Sequence, residues 1–246
     1  MMRNILKSTL VLPALLLLNL TVVFSPMIRY EGSAVDLFIR FFCGSPDLSQ
    51  QSVLMILLSV FPLLVFVIIF GTFVYNDLTV SSIYLFSRQA SRGGWYLKTV
   101  LRLGIYAAVS SLLFALACRY LVYGFTGGEY RLEVTVKLLI MSFIITFGFA
   151  LLQNIISIAI GTTYGFFAVY ALILAAIGIA IQILKVNTTS LLARILNPFY
   201  ALILAVFNNL TISQLFICFL PIGVILICGF LAVKYSDIGL SNKELI

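Results

Sequence analysis

The longest segment between apolar runs that could form an amphipathic helix lies between residues 76 and 102, and its second half is rich in cations. Only 9% of the residues in the chain are charged, so a cluster of this kind stands out. Its members are Asp77, Arg88, Arg92, Lys98 and Arg102. Charges held on one exposed segment can dock a soluble partner through ion pairs and can steer its approach. The alternative is an ordinary amphipathic helix that lies on a membrane surface.

The sequence contains no histidine, and this absence removes several kinds of chemistry. A Ser-His or Cys-His nucleophilic site cannot form, and neither can a histidine-ligated metal site. The four cysteines lack the spacing of a metal site, and we interpret them as small hydrophobic residues. The sequence also lacks a Gly-x-x-x-x-Gly-Lys-Ser/Thr phosphate-binding loop. The chain therefore does not hydrolyse ATP by the P-loop route.

Gln153 and Asn154 are the most conspicuous polar pair inside an apolar run. Hydrogen bonding between helices is the more common use of such residues, and it contributes about 0.6 kcal/mol on average in a membrane. Contact with a transported substrate is the alternative. No Asp, Glu, Lys or Arg falls clearly at the middle of an apolar run, where proton- or ion-coupled carriers usually place one. The sequence therefore disfavours a secondary transporter.

The composition indicates that these residues are positioned by a membrane protein. The chain is 63% hydrophobic and has a mean hydropathy of +1.18, whereas soluble domains are about half apolar. A helix needs roughly 20 apolar residues to cross the hydrocarbon core. We predict an all-α fold with one transmembrane domain, residues 1–246, and six membrane-spanning helices. Their approximate bounds are Ser8–Phe24, Val53–Val74, Val100–Val122, Leu138–Ile160, Tyr164–Leu184 and Ile212–Val233.

The charged segment is predicted to form a helix between the second and third spans. Asn76 and Asp77 are typical N-cap residues, because their side chains accept hydrogen bonds from the first free amides of a helix. Gly93 and Gly94 are predicted to end this helix. Trp95 then begins an interfacial anchor for the third span.

Two further features lie in the last third of the sequence. Small residues recur on the fifth span at a spacing that lets a neighbouring helix approach closely, either within the chain or in a dimer. They are Ala168, Ala171, Ala175 and Gly178. Within residues 185–211, an apolar run bounded by Pro198 and Asn208 is too short to span a membrane. This run predicts a re-entrant or interfacial element before the sixth span.

Charge gives only part of the orientation. Six spans place the 76–102 segment on the same side as both termini. The net charge is +7, but Lys and Arg are divided almost evenly between the two sides, so the positive-inside rule does not decide. The density of cations between Arg88 and Arg102 favours the cytoplasm for that segment and therefore for both termini.

The chain resembles the ABC-2-type permeases, the membrane subunits of ATP-driven exporters and self-immunity transporters. In that family a cytoplasmic amphipathic coupling helix joins the second and third spans. The family pattern has an acidic residue after the second span, then a small residue followed by Arg, and a Lys that opens the third span. Asp77, Ser91-Arg92 and Lys98 match this pattern, with Trp95 between them. The resemblance covers the whole chain and is closest to small permeases of peptide-antibiotic export or immunity.

The resemblance implies that ATP hydrolysis and membrane passage are carried out by different subunits. A separate P-loop ATPase would bind ATP and Mg²⁺, and this chain would hold no catalytic residue, metal or cofactor. The residues implied in contact with the ATPase are Asp77, Arg88, Ser91, Arg92 and Lys98. A second permease copy or a sister permease would complete the transporter in the lipid of a bacterial plasma membrane, with no nucleic-acid partner. The substrate would be an amphiphilic peptide, lipid or drug, for which Gln153 and Asn154 are candidate contacts.

Two other functions stay open from the residues alone. A stand-alone channel or secondary carrier would transport its substrate without an ATPase. An intramembrane enzyme would need a nucleophile or a metal site, and we can name neither. A neighbouring reading frame that encodes a P-loop ATPase would favour the permease over both.

Overall fold

The structure is a computed structural model that describes residues 53–86, 92–126, 132–186, 197–206 and 211–235. Within these ranges the chain is helical and contains no strand, so the all-α prediction is confirmed for the described residues. In chain order the helices are α1 (Val53–Phe70), α2 (Phe73–Phe86), α3 (Arg92–Thr126), α4 (Leu132–Ile160), α5 (Thr162–Val186), α6 (Pro198–Val206), α7 (Ile212–Ile217) and α8 (Leu220–Tyr235).

Five segments of the described chain are long and apolar enough to cross a membrane. They are Val60–Thr79, Arg92–Tyr120, Leu132–Ile160, Thr162–Ile183 and Ile212–Lys234. These segments correspond to the second to sixth predicted spans, which confirms a multi-pass helical protein. The first predicted span, Ser8–Phe24, lies outside the described residues.

Helix α4 forms the centre of the described bundle and contacts each of the other seven helices. Within the apolar stretch of α4, 72% is buried inside the protein, compared with 28% for the apolar stretch of α5 and 22% for the one formed by α7 and α8. Polar groups on α4 also meet its neighbours: Thr146 Oγ1 lies 3.3 Å from Ser111 Oγ of α3. Helix α4 is therefore the central element of the described bundle.

Two of the predicted spans are interrupted rather than continuous. The second span breaks at Gly71 and Thr72, between α1 and α2, although Pro62 lies within α1 and does not end it. The sixth span breaks at Cys218 and Phe219, between α7 and α8. Pro near a helix start is favourable because the first amides of a helix lack partners, and Pro221 occupies such a place in α8.

The predicted limits of the helix after the second span are wrong. Helix α2 begins at Phe73, so Asn76 and Asp77 lie inside it and do not cap it. Gly93 and Gly94 lie in the first turn of α3 and do not end a helix. Gly93 instead lies against α8, where a Cβ on it would lie 2.7 Å from the ring of Phe230. Tertiary packing thus overrides both local signals.

The short apolar run before the sixth span forms helix α6, which is only nine residues long. Asn197 caps it, since its Oδ1 accepts hydrogen bonds from the Phe199 and Tyr200 amides at 3.2 and 3.1 Å. The Asn197 Nδ2 group donates to the Ala176 carbonyl of α5 at 2.7 Å. One side chain therefore starts α6 and fixes it against α5.

The stripe of small residues on α5 faces away from the described bundle. Each of its members, Ala168, Ala171, Ala175 and Gly178, is exposed. A Cβ on Gly178 would meet nothing within 4 Å. Within the described residues, the stripe is therefore not used for packing between helices.

Candidate functional site

The charged end of the bundle is organised by a hydrogen bond between α2 and α3. Thr99 Oγ1 donates to Asp77 Oδ2 at 3.2 Å. Thr99 is buried, whereas Asp77 is half-buried. The bond fixes the carboxylate of α2 beside the first two turns of α3, where Arg92 and Lys98 lie. Lys98 is exposed and Arg92 is half-buried. Three of the residues predicted to contact an ATPase are therefore carried by one pair of helices.

The start of α3 also packs on the end of α8. The Tyr96 hydroxyl donates to the Leu226 carbonyl at 3.5 Å, and the Tyr96 and Phe230 rings lie 6.4 Å apart. The Tyr96 hydroxyl also fills the space in which a side chain on Gly229 would begin. Lys234, in the last turn of α8 and exposed, therefore lies toward the same end of the bundle as Arg92 and Lys98.

The turn between α4 and α5 reaches the same end. Gly161 forms this turn with a φ of 99°, a conformation that favours glycine. Ile155, shortly before the turn, lies against Gly229 of α8: a Cβ there would be 2.7 Å from Ile155 Cδ1. We call the described part of this region, formed by α2, the start of α3, the α4–α5 turn and the end of α8, the polar end. Arg88 and Ser91 lie outside the described residues.

Asn154 of α4 inserts its side-chain amide into the break between α1 and α2. Its Oδ1 accepts hydrogen bonds from the Val74 and Tyr75 amides at 2.7 and 3.2 Å. Its Nδ2 donates to the Phe70 carbonyl at 3.0 Å and to the Ala150 carbonyl of its own helix at 2.7 Å. The amide therefore caps the end of α1 and the start of α2 together. Asn154 therefore forms hydrogen bonds between helices, which is the more common of the two roles considered for this polar pair.

Gln153 is fully buried but lacks the partners that Asn154 has. Neither Nε2 nor Oε1 forms a hydrogen bond with the described residues. Its Cδ and Oε1 lie where the Cβ of any side chain at Gly71 would be. Gln153 thus packs against the same helix break that Asn154 bridges. The break is one turn from Asp77, so both amides lie next to the polar end.

An apolar cavity of about 150 Å³ lies on another side of α4, toward α5, α6 and α8. Gly148, Ala176 and Pro221 are among the residues that line it, and its walls are almost entirely apolar. Neither Gln153 nor Asn154 lines this cavity. The cavity could accommodate an alkyl or aromatic group. The two residues predicted to contact a substrate therefore lie elsewhere on α4.

Lys137 is a buried cation whose burial is not evident from the sequence. It lies in the second turn of α4 with 2% of its side chain exposed, and its Nζ lies 2.6 Å from Glu133 Oε1. The sequence could have predicted this ion pair from the spacing of four residues between Glu133 and Lys137 on one helix. The pair is close to the start of α4, at the end away from the α4–α5 turn.

Comparison with protein-family models, with curated proteins and with solved structures finds no match for this chain.

Proposed function

We propose that this chain is the permease subunit of an ATP-driven exporter of the ABC-2 type, and that α2 with the start of α3 docks a separate ATPase. The observation that carries the proposal is the Asp77–Thr99 hydrogen bond, which fixes a charged pair of helices at one end of an apolar bundle. A short helical connection held in this way can transmit a push or a pull from a soluble partner. The residues that would make the contact are Asp77, Arg88, Ser91, Arg92 and Lys98.

The lack of a phosphate-binding loop supports the need for a partner. A chain without such a loop cannot obtain energy from ATP by the P-loop route, so an ATP-driven role requires a second protein that carries it. Lys98, which is exposed, offers it an ion pair. In this proposal the polar end faces the cytoplasm, where ATP is available, and a second permease copy or a sister permease completes the transporter.

The apolar cavity supports an amphiphilic substrate. Its wall consists of groups such as Ala176 and Pro221, which favour an alkyl or aromatic part of a peptide, lipid or drug. Asn154 uses both acceptor sites and both donors of its amide within the protein, so it has none left for a substrate in this arrangement. We therefore assign the apolar part of the substrate to the cavity.

Co-purification with the ATPase tests the proposal. The chain would be co-expressed with the P-loop ATPase encoded by a neighbouring reading frame, and the two proteins purified through a tag on one of them. Charge reversal by Arg88→Glu together with Arg92→Glu is expected to abolish the association. Arg119→Glu is the matched control, because Arg119 is exposed and lies roughly 40 Å further along α3.

Three results would count against the proposal. Association that survives the double charge reversal would show that these arginines do not dock the ATPase. A genome with no P-loop ATPase frame near this gene would remove the expected partner. Flux of potassium or of a fluorescent lipid through liposomes that contain this chain alone would instead favour a stand-alone channel or carrier.

A further inference from the structure

Two neighbouring amides of α4 meet the break between α1 and α2, and they differ in their bonding. Asn154 forms four hydrogen bonds, three of them with the two helices that flank the break. Gln153 forms none with the described residues, although it is fully buried against Gly71. A buried amide without partners is costly and is uncommon in native proteins. A packing role alone would be filled at lower cost by an apolar side chain.

The backbone at the break can change conformation more easily than a continuous helix. In an uninterrupted helix the Val74 amide would bond to the Phe70 carbonyl, but here the Asn154 amide stands between these two groups. Gly71 has no side chain to restrict its φ and ψ angles. It also allows Gln153 to approach the backbone, since a Cβ there would collide with the Gln153 amide.

We propose that Gly71 and Thr72 form a hinge with two positions, each held by a different amide of α4. In the described position Asn154 bonds to Phe70, Val74 and Tyr75. In the second position the first turn of α2 pivots, the bonds to Asn154 are released, and the Gln153 amide bonds to backbone groups of the break. The Gln153 amide is unpaired in the described position, and it supplies the hydrogen bonds that hold the second position.

The hinge lies between the proposed ATPase contact on α2 and the central helix α4. Asp77 lies one turn beyond it on α2 and is bonded to α3, and α4 contacts every other described helix. A movement of α2 is therefore communicated to the centre of the bundle through Asn154 and Gln153. This role in transport rests on the proposed function, whereas the existence of two hinge positions does not.

Distance measurement between spin labels tests the hinge on the chain alone. Thr79 of α2 and Ile160 at the end of α4 are both exposed and would be changed to cysteine, with the four native cysteines replaced by alanine. In lipid nanodiscs the otherwise unchanged chain is expected to give two distance populations. Gln153→Met keeps the length of the side chain but removes its polar groups, and it is expected to leave only the population of the described position. Asn154→Leu is expected to shift the population the other way.

Ser157→Ala provides the matched control. The Ser157 hydroxyl is also buried without a partner among the described residues, and it lies one turn from Gln153 on the same helix. Both Ser157→Ala and Gln153→Met are expected to raise the melting temperature, because each removes an unpaired buried polar group. Only Gln153→Met is expected to change the distance populations. This comparison separates the hinge from a general gain in stability.

The outcomes separate the hinge from the proposed function. A single distance population that Gln153→Met leaves unchanged overturns the hinge, even if an ATPase co-purifies with the chain. Two populations that respond to Gln153→Met support the hinge even if no ATPase binds. This variant decides the question even if Asn154→Leu does not fold.

Discussion

Ser157 of α4 and Gly165 of α5 lie in direct contact where the two helices diverge from their turn. The Ser157 hydroxyl fills the space in which a side chain on Gly165 would begin. A Cβ on Gly165 would also lie 3.0 Å from the Ser157 backbone nitrogen and 3.1 Å from its Cα. Because two of these neighbours are backbone atoms, the helices must separate to admit any side chain. The close approach of α4 and α5 therefore depends on a glycine at this place.

Replacement of Gly165 by alanine is expected to lower the thermal stability. The added methyl group must push two helix backbones apart, and overpacking of this kind costs about 1–3 kcal/mol. Thermal unfolding of the purified protein, followed by circular dichroism, would measure the change. Gly178→Ala on the same helix is the control, since a Cβ there meets nothing within 4 Å. Equal melting temperatures for the two variants would contradict the contact at Gly165.

Asn154→Leu is expected to be among the most destabilising changes on α4. Leucine has nearly the shape of asparagine but leaves the Phe70 carbonyl and the Val74 and Tyr75 amides without their partner. Each unpaired buried group costs about 1–3 kcal/mol. Asn76→Leu is the matched control, because Asn76 is exposed and, among the described residues, its side chain bonds to Thr72 alone. A similar melting temperature in both variants would argue against the bridging role of Asn154.

Two substitutions at Asn197 are expected to separate its two roles. Asn197→Ala removes both the cap of α6 and the hydrogen bond to Ala176, and the loss of the cap alone costs about 1 kcal/mol. Asn197→Ser keeps a side-chain oxygen for the cap but loses the donor to Ala176. The order of melting temperatures is therefore expected to be native, then serine, then alanine. If serine and alanine gave the same value, the cap would contribute nothing to stability.

A cysteine on the small-residue stripe tests the proposed pairing of two permease chains. Because the stripe faces away from the described bundle, a second copy could approach it closely around a two-fold axis. Ala171→Cys, with the native cysteines replaced, is expected to give a disulfide-linked dimer under mild oxidation, detected by non-reducing gel electrophoresis. Val109→Cys on α3 is the control, since it is exposed on a different helix and is expected to stay monomeric. A monomer at both positions would place the dimer contact elsewhere.

Hydropathy was sufficient to predict where the long apolar helical segments of the described residues lie. The runs around α3, α4 and α5 are apolar over the length that a membrane requires, and their lengths leave little choice of secondary structure. The predicted bounds of the fourth and fifth spans left only residues 161–163 between them, and the positive φ of Gly161 explains the glycine in this turn. These features depend on residues that are close together in the sequence.

The limits of the helices could not be predicted, because they depend on side chains that are distant in the sequence. Helix α2 starts at Phe73 since Asn154, on another helix, supplies the cap that Asn76 was expected to provide. Gly93 lies within α3, where its side-chain position is next to the ring of Phe230 on another helix. No local pattern reports either contact. The same is true of the difference between Gln153 and Asn154, which are adjacent and chemically alike but lie in different surroundings.

The dependence of the α1–α2 break on Asn154 has a consequence for the synthesis of the protein. The ribosome makes α1, α2 and α3 before it makes residue 154. Until α4 is present, the Val74 amide can bond to the Phe70 carbonyl as in an uninterrupted helix, because the Asn154 amide is not yet there to stand between them. We therefore expect α1 and α2 to form one continuous helix at first and to separate only when α4 packs against them.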